Sequence, residues 1–587
     1  MAKTKDRWIW SRGKLLNGHR FDDDANKVYT MPEDLFHQSF DGGNTSSISA
    51  VVAKFLTHHY QYEAPRIAEL ERYYIGDNDI HYWHNNKKLL HRADNRVASG
   101  FPKFITNMRV GYMLGKPIKM QWSDNTVTDP PVLKAVQDFN RLNDEPYHEK
   151  VMKTNLSVTG RAYELLYTER PTINADGSKN TAKAKLKAVD PLTAFVVYDT
   201  SIEQNALFGV RYYLVDYDDE LNKGYYVDVY TADNIYHYQA GENPTNASME
   251  LLSVDNSGFG VEPLIEYVNN EERTGDWEAK LDEIDAYDKA LSEMANSEED
   301  FANAKFVING DIEADYVPVL KPNGEPMLND NGEQVMVPKI QADDPYLFLK
   351  PSVIPEANGN TIVPSSAEYL TKQMNEAGWK LYMERLAADI HKDTNTPDTS
   401  DQNFGGNNSG VAMAYKLFGQ DQEMSMQKSL FSRGVKQRLR ALTYYWWQNG
   451  EQGIDQDDAN YFEINYTPNL PNNNAEIVQE LQSLSDTGLF SDKTLREFGA
   501  PVTGVSADAE EQRLQDEAEQ DPDQNTTPFD GSQLQGVNPA DLAEAKAKLE
   551  QQGQPDPRQP KMTPEQFVLS QQRNMKSKSN GGGQNVK

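Results

Sequence analysis

One stretch of the sequence, residues 276–303, constrains the fold more than any other. It holds ten carboxylates and only two lysines, Lys280 and Lys289. Its apolar residues recur at spacings of three, four and seven, which predicts one face of a helix. At about 1.5 Å per residue, such a helix would be roughly 40 Å long. We expect a long amphipathic helix with an anionic outer surface. The apolar residues are Trp277, Leu281, Ile284, Tyr287, Leu291, Met294 and Phe301.

A second helical pattern, residues 365–392, follows after an interval rich in strand and turn signals. We predict that the two helices form an antiparallel pair with a small β-rich module, residues 304–364, at one end. The alternative, an ordinary solvated surface helix, stays open at this point. The predicted strands of the module are 317–320, 335–340 and 346–349, and its predicted turns are Asn323-Gly324 and Asn331-Gly332.

The segment after this pair, residues 395–410, is too polar to belong to a core. It carries Asp398 and Asp401 without a basic residue, and Gly405-Gly406 gives its backbone conformational freedom. The segment is either a functional loop or an ordinary exposed linker.

Composition limits the classes of function. The chain has 90 acidic and 58 basic residues, a net charge of −32, so no general affinity for nucleic acid follows from its charge. It has no cysteine, which excludes disulfides and thiolate metal sites and suits a reducing cytoplasm. No run of about 18 apolar residues and no export signal occurs, so we predict neither membrane insertion nor export.

The first 275 residues predict an arm followed by an α+β body. Residues 1–47 lack sustained periodicity and are predicted to form a flexible arm that orders only against a neighbour. Helices are predicted at 47–74, divided near Pro65, and at 132–159. The period then changes to two, which predicts tyrosine-rich strands suited to half-buried surfaces. These strands are 161–168, 185–189, 194–198, 208–217, 225–230 and 235–238.

The C-terminal part is predicted to be helical. A long helix spans 411–448, and between residues 428 and 440 it has five basic residues and no acid. This basic patch could contact nucleic acid, but pairing with acidic neighbours is favoured in so acidic a chain. Residues 521–587, rich in Gln and Pro, are predicted to be a flexible tail. Three short capped helices are predicted before it at 474–486, 491–498 and 506–520, with Gly488 and Gly499 as stop signals.

No catalytic residue, metal site or cofactor is predicted. The Gly111–Lys116 segment resembles a nucleotide-binding loop, but only three residues separate its glycines, and Pro117 stands where a magnesium-binding Ser or Thr belongs. His81 and His84 could ligate a metal, but the aromatic residues between them favour packing.

Several motifs in an unbroken order resemble the portal proteins of tailed bacteriophages with long non-contractile tails. The resemblance covers roughly residues 48–520, and the combination is specific although each motif alone is weak. The motifs are Tyr73-Tyr74-x-Gly76; Asn107 to Ile118; Ile284-Asp285-x-Tyr287-Asp288 with Ser292 and Asn296; Asn403-Phe404 with Ser409-Gly410-Val411-Ala412; and Phe490-Ser491-x-x-Thr494.

The resemblance implies an α+β portal fold and a dodecameric ring at one capsid vertex, through which double-stranded DNA is packaged and ejected. The channel contacts would be non-specific. It also implies a protein with no catalytic centre, because ATP hydrolysis belongs to the terminase that docks on the ring. The implied parts are a wing (48–275 and 410–470), a stem (276–303 and 365–394), a clip (304–364), a tunnel loop (395–409) and a crown (471–520).

The resemblance also implies site residues and partners. The implied partners are further copies of the chain, the terminase large subunit, a head-completion adaptor, and the major capsid and scaffold proteins, in a virion assembled in the host cytoplasm. The implied acidic stem lining is Asp282, Asp285, Asp288 and Glu293. The implied tunnel-loop residues are Asp398, Asp401, Gln402, Asn403, Phe404 and Asn407, and the implied clip docking loop is Asn323, Gly324, Asn331 and Gly332.

Two other functions compete with this one: another structural phage component, such as a connector or baseplate protein, and a carboxylate-dependent hydrolase. The hydrolase has no specific support, because 90 carboxylates produce close acid pairs by chance. Ring symmetry in micrographs of the purified protein would separate all three.

Overall fold

The structure, a computed structural model, divides into two compact units, residues 1–470 and 471–587. The residues it describes are 20–22, 24–41, 45–83, 93–123, 130–169, 182–216, 224–302, 305–309, 311–312, 316–322, 324–339, 349–357, 359–370, 376–399, 410–469 and 474–520.

The described part of the chain is a mixed α+β structure. Its α-helices are α1 (Glu33–Phe40), α2 (Thr45–His58), α3 (Ala64–Tyr74), α4 (Phe101–Leu114), α5 (Pro131–Leu142), α6 (Glu145–Thr159), α7 (Leu281–Ala302), α8 (Glu376–Asp393), α9 (Gly410–Gln448), α10 (Asn474–Thr487), α11 (Asp492–Thr503) and α12 (Ala507–Gln520).

Its strands are β1 (Tyr29–Thr30), β2 (Lys119–Trp122), β3 (Arg161–Thr168), β4 (Ala184–Val189), β5 (Ala194–Tyr198), β6 (Ala206–Val215), β7 (Gly224–Tyr230), β8 (Asn234–Gly241), β9 (Glu250–Asn256), β10 (Leu264–Val268), β11 (Lys305–Asn309), β12 (Asp311–Ile312), β13 (Tyr316–Pro318), β14 (Met336–Pro338), β15 (Leu349–Lys350), β16 (Ser352–Glu356), β17 (Gly359–Val363), β18 (Ser366–Leu370) and β19 (Phe462–Asn465).

The helix predicted at 47–74 is divided as expected. A π-helical turn, His59–Glu63, joins α2 to α3, and the backbone N–H of Ala64 bonds to the carbonyl of His59. Pro65 has no N–H to donate to the carbonyl four residues before it, which favours a wider turn at this point.

A six-stranded sheet in the order β1-β5-β6-β7-β8-β9 forms the first layer of the body. Its inner face packs against α2 through Phe195, Phe208 and Val227. A three-stranded antiparallel sheet, β10-β3-β4, packs with α4, α5 and α6 around the long helix α9 in a second core. The six predicted strands of this body are confirmed, whereas β9 and β10 were not predicted.

The predicted N-terminal arm does not hold for residues 20–41. Tyr29 pairs with Val197 and Thr30 with Tyr198 in a parallel ladder, so β1 is a strand of the main sheet. Phe40 of α1 is buried in the same core. The sequence lacked periodicity here because a two-residue strand is too short to show one.

The antiparallel helix pair is confirmed, but its second helix begins later than predicted. Lys280, just before α7, lies 2.7 Å from Asp393 at the end of α8. At the other end of the pair, Lys305 pairs with Leu370 and Asn309 with Ser366, so residues 366–370 form strand β18 instead of a helical turn.

The module between these helices consists of two-stranded antiparallel ribbons: β11–β18, β12–β15, β13–β14 and β16–β17. The predicted strands at 317–320 and 335–340 are confirmed at β13 and β14, in shorter form. The third, 346–349, is described only at its end, in β15.

The unit of residues 471–587 is described over three helices, α10 to α12. All three were predicted, but Gly499 does not stop α11, which continues to Thr503 and ends at Gly504 in the left-handed region, with φ of 73°. The predicted tail, residues 521–587, lies outside the described residues.

Candidate functional site on the acidic helix

The acidic helix α7 is anchored in the body by its first two turns. Trp277, just before the helix, is fully buried, and its indole Nε1 donates a hydrogen bond of 3.0 Å to Thr106 Oγ1 of α4. Leu281 and Ile284 pack in the same core with Ile390 of α8. This end of the helix pair therefore belongs to the body.

Beyond this anchor, polar side chains of α7 hold an extended segment, residues 95–99. The backbone N–H of Ser99 donates to Asp288 Oδ1 at 2.7 Å, and that of Val97 donates to Ser292 Oγ at 2.9 Å. The backbone N–H of Asn95 donates to Asn296 Oδ1. We call these three bonds the amide ladder.

The spacing of the amide ladder follows from backbone geometry. Its acceptors on the helix are four residues apart, a rise of about 6 Å. Its donors are two residues apart in an extended chain, an advance of about 6.6 Å. Because the two distances nearly match, the N–H groups of three alternate residues meet acceptors on one face of the helix. It gives a physical role to Ser292 and Asn296, which the family motif singled out without explaining them.

Two of the four predicted lining carboxylates lie inside the subunit. Asp285 accepts hydrogen bonds from the Tyr73 hydroxyl at 2.6 Å and from Arg20 Nη1 at 2.7 Å. Asp288 is fully buried and also accepts from Asn78 Nδ2 at 2.6 Å. Burial raises the pKa of Asp288 against the lowering effect of its hydrogen bonds. A carboxylate buried in its own subunit cannot contact a channel, so Asp285 and Asp288 are removed from the predicted lining.

The other two predicted lining residues, Asp282 and Glu293, are exposed. The Asp282 side chain is 87% exposed although Arg20 lies 3.4 Å away. Glu298 is also exposed on this helix, whereas Glu299 accepts a hydrogen bond of 2.7 Å from Asn95 Nδ2 and belongs to the side that holds residues 95–99. The helix therefore has a fixed face that binds its own subunit and an anionic face that is open in the single chain.

The entrance to the predicted tunnel loop is fixed by the body. Helix α8 ends at Asp393, and Asn395 has a positive φ of 48°. Arg109 of α4 donates to the carbonyl of Thr394, and Asn395 Nδ2 donates to Glu423 of α9 at 3.0 Å. Asp398 is exposed. Five other predicted loop residues lie outside the described residues: Asp401, Gln402, Asn403, Phe404 and Asn407.

The predicted docking loop contains a repeat that the sequence analysis missed. Leu-x-x-Asn-Gly-Glu occurs at 320–325 and again at 328–333. The two copies make the same turn, because Gly324 donates to Lys321 as Gly332 donates to Asn329, each at 2.9 Å. Both glycines have positive φ, near 80°. Asn323 lies outside the described residues, and Asn331 occupies the matching position in the second copy.

One residue of the basic patch of α9 is used inside the body, and another pairs at the surface. Arg438 is fully buried, and its Nε donates to Glu164 Oε1 at 2.8 Å. Burial alone would raise the pKa of Glu164, but Arg438 and His148 outweigh it and lower the pKa to about 2. At the surface, Arg433 lies 3.8 Å from Glu271. For these two residues the predicted pairing is confirmed.

A second carboxylate near Arg438, Glu149, has its pKa shifted in the opposite direction. Arg438 Nη1 is 2.7 Å from Glu149 Oε1, but neither atom has a hydrogen bond to the other, so the contact is an ion pair only. Burial, helped by the nearby carboxylates Glu145 and Glu164, outweighs Arg438 and raises the pKa of Glu149 to about 7.

The described residues contain no group of three or more His, Asp or Glu side chains arranged to hold a metal ion. None of the described helices is long and apolar enough to cross a membrane.

The carboxylates of the acidic helix thus either accept hydrogen bonds from groups of the same subunit or face solvent. The sequence pattern of the family described as phage portal protein, SPP1 Gp6-like, matches residues 53–523, and the chain belongs to that family. It is therefore a structural, non-enzymatic phage protein, and the resemblance inferred from its motifs is confirmed.

Two relatives are similar over most of their length. The portal protein of Bacillus phage SPP1 is 21% identical over 447 residues, which cover 72% of this chain and 78% of the relative. The portal protein of Clostridium phage phiCD119 is 20% identical over 424 residues, which cover 70% and 84%.

Proposed function

We propose that copies of this chain close into a ring of about twelve subunits, as heterologous contacts around one axis permit. The ring lies at one vertex of the capsid, and double-stranded DNA passes through its centre during packaging and ejection. The protein is assembled in the host cytoplasm and remains in the virion.

The observation that carries this proposal is the division of α7 into two faces. The amide ladder fixes one face to the subunit, and Asp282 and Glu293 on the other face remain exposed. Repeated around a ring, exposed carboxylates repel phosphates. DNA would then slide without the counterion-releasing contacts that hold it to basic proteins.

The parts of the chain have separate roles in this proposal. The body, residues 48–275 and 410–470, is the wing, and α7 with α8 is the stem. The β-rich module between them is the clip, extended here to residue 370 because β18 pairs with β11. Residues 395–409 are the tunnel loop, and 471–520 are the crown.

The clip is proposed to be the docking surface for the terminase large subunit and the head-completion adaptor. The repeated turns at 321–324 and 329–332 present Glu325 and Glu333 at the surface. The major capsid and scaffold proteins are further proposed partners. No membrane partner is proposed.

Mass photometry and electron micrographs of the purified protein test the assembly. We expect rings of about twelve subunits with one rotational axis. A stable monomer at micromolar concentration would contradict the proposal.

The tunnel loop is tested separately, in assembled rings. The double variant Asp398→Lys/Asp401→Lys adds phosphate-neutralising charges around the axis and should slow packaging in a salt-dependent way. The matched control is Asp34→Lys/Asp233→Lys, which makes the same charge change at two exposed positions of the body. Parental packaging rates for the loop variant at low salt would show that the loop does not face DNA.

A further inference from the structure

The three helices α10, α11 and α12 lack a core of their own. Among the described residues of their unit, Ala507 is the one buried hydrophobic residue. Helices of this length are marginal in water without tertiary packing, and so small a unit rarely buries enough apolar surface alone. Five of its large apolar side chains are exposed: Val478, Leu489, Phe490, Phe498 and Leu514. The apolar surface of these helices therefore requires another segment or molecule packed against it, which we call the cover.

The charge of these helices restricts what the cover can be. Residues 474–520 contain eleven acidic and three basic residues. Each basic residue already has a carboxylate partner within the unit: Lys493 lies 3.1 Å from Asp508, Arg513 lies 3.5 Å from Glu510, and Arg496 lies 3.9 Å from Glu511. The remaining carboxylates leave a strongly anionic surface.

A second copy of the same helices is a poor cover, because two surfaces of the same strong charge repel each other. A complementary cover needs basic side chains together with apolar ones. Within the unit of residues 471–587, one segment has that composition. Residues 561–587 contain five basic residues and one acidic residue, and Phe567-Val568-Leu569 forms an apolar group among them.

The connection between the two segments is long enough. Residues 521–560 join α12 to the basic segment, and forty residues can span up to about 130 Å. A helix of fourteen residues is only about 21 Å long. The basic segment can therefore reach every side of the three helices to which it is joined.

From this complementarity we propose that residues 561–587 dock onto α10–α12. Arg573, Lys576 and Lys578 lie against the surplus carboxylates, and Phe567 and Leu569 cover exposed apolar side chains. The docking supplies the apolar burial that the three helices lack. The docking does not depend on ring formation, so it can be tested independently of the proposed channel.

Hydrogen exchange on the full-length protein tests the docking. In the variant Arg573→Glu/Lys576→Glu/Lys578→Glu, amides of residues 474–520 should exchange about tenfold faster, because opening of these helices becomes easier. The variant Phe567→Ser/Leu569→Ser should have the same effect without a change of charge. Amides of the wing serve as the internal reference and should not change in either variant.

The matched control is Lys546→Glu/Lys548→Glu/Arg558→Glu, which reverses three charges outside the docking segment and should leave exchange of 474–520 unchanged. Carbodiimide cross-linking should join Lys576 or Lys578 to carboxylates of 474–520. Unchanged exchange in both docking variants would overturn the proposal.

Two other outcomes would also overturn it. If protection of 474–520 depends on protein concentration but not on these substitutions, a second copy is the cover. If the substitutions leave 474–520 unaffected while double-stranded DNA protects 561–587 at low salt, the segment binds nucleic acid instead.

Discussion

The body of the protein and the β-rich module between α7 and α8 differ in how far their side chains are buried. In the body, charged side chains are buried and paired, as Arg438 is with Glu164. In the module, none of the residues between 307 and 368 whose exposure the structure describes is buried, and its strands form ribbons of two.

The difference shows which region can be stable in a single chain. Paired ribbons without a buried face are marginal in water, so the described ribbons of the module gain little stability from apolar burial within the chain. A buried ion pair, in contrast, makes the body intolerant of losing either partner. Four substitutions test this division.

The largest effect is expected from Arg438→Ala. It leaves Glu164 buried without its main counter-charge and should lower the free energy of unfolding of the body by about 3–5 kcal/mol. Denaturant unfolding followed by tryptophan fluorescence measures the loss. Lys436→Ala, an exposed position on the same helix, is the matched control and should change stability by less than about 0.5 kcal/mol. Equal effects of the two substitutions would mean that the body does not depend on the buried pair.

The amide ladder comes next. Asp288→Ala removes the acceptor of Ser99 N–H and Asn78 Nδ2 and should cost about 1–3 kcal/mol, because buried donors lose their partner. Amide exchange at residues 95–99 should become faster. The control is Asp282→Ala, on the exposed face of the same helix, for which unchanged exchange is expected. If Asp282→Ala has the larger effect, the assignment of the two faces is wrong.

The pH dependence of stability tests another buried carboxyl of the body, Glu149. Because burial raises the pKa of Glu149 from 4.5 to about 7, the native state holds that proton more tightly than the unfolded chain does. The stabilisation is complete below about pH 4.5 and is lost as the pH rises to about 7, at less than about 1.4 kcal/mol per pH unit.

The side chain in Glu149→Gln is neutral at every pH, so the variant should not lose this stabilisation as the pH rises. It should therefore gain stability relative to the parent between pH 5 and 7. Denaturant unfolding at intervals of half a pH unit measures the slope. Glu463→Gln, at an exposed position, should keep the parental slope. A slope unchanged in Glu149→Gln would show that this carboxyl does not bind the proton.

The smallest effect on stability is expected in the module. Replacing residues 323–332 with a short Gly-Ser turn removes the second half of the first repeat and all but Glu333 of the second. It should change the free energy of unfolding of the body by less than about 0.5 kcal/mol. Rings should still form, whereas packaging or adaptor binding should fall. The control replaces residues 356–359, where β16 is joined to β17, in the same way. Normal packaging and adaptor binding by intact rings would count against the repeat as a docking surface.

Local patterns were enough to predict most of the elements. The helical period of α7 and α9, and the period of two in β3 to β8, depend on neighbours a few residues away. The same local reasoning failed at β18, where Ser366–Leu370 continued a helical pattern but pairs with β11 about sixty residues earlier. Strand pairing at such a distance leaves no periodic signal in either segment.

For the candidate site, the sequence alone determined that α7 would be a long anionic helix and that its motif residues belong to a portal protein. Only the tertiary structure decided which acids face inward. Asp282, Asp285, Asp288 and Glu293 are equivalent in charge, but the extended segment 95–99 and Tyr73, some two hundred residues away, lie over Asp285 and Asp288 alone. A carboxylate can be buried where hydrogen-bond donors of the protein replace the water that it loses. The position of those donors is a property of the folded chain.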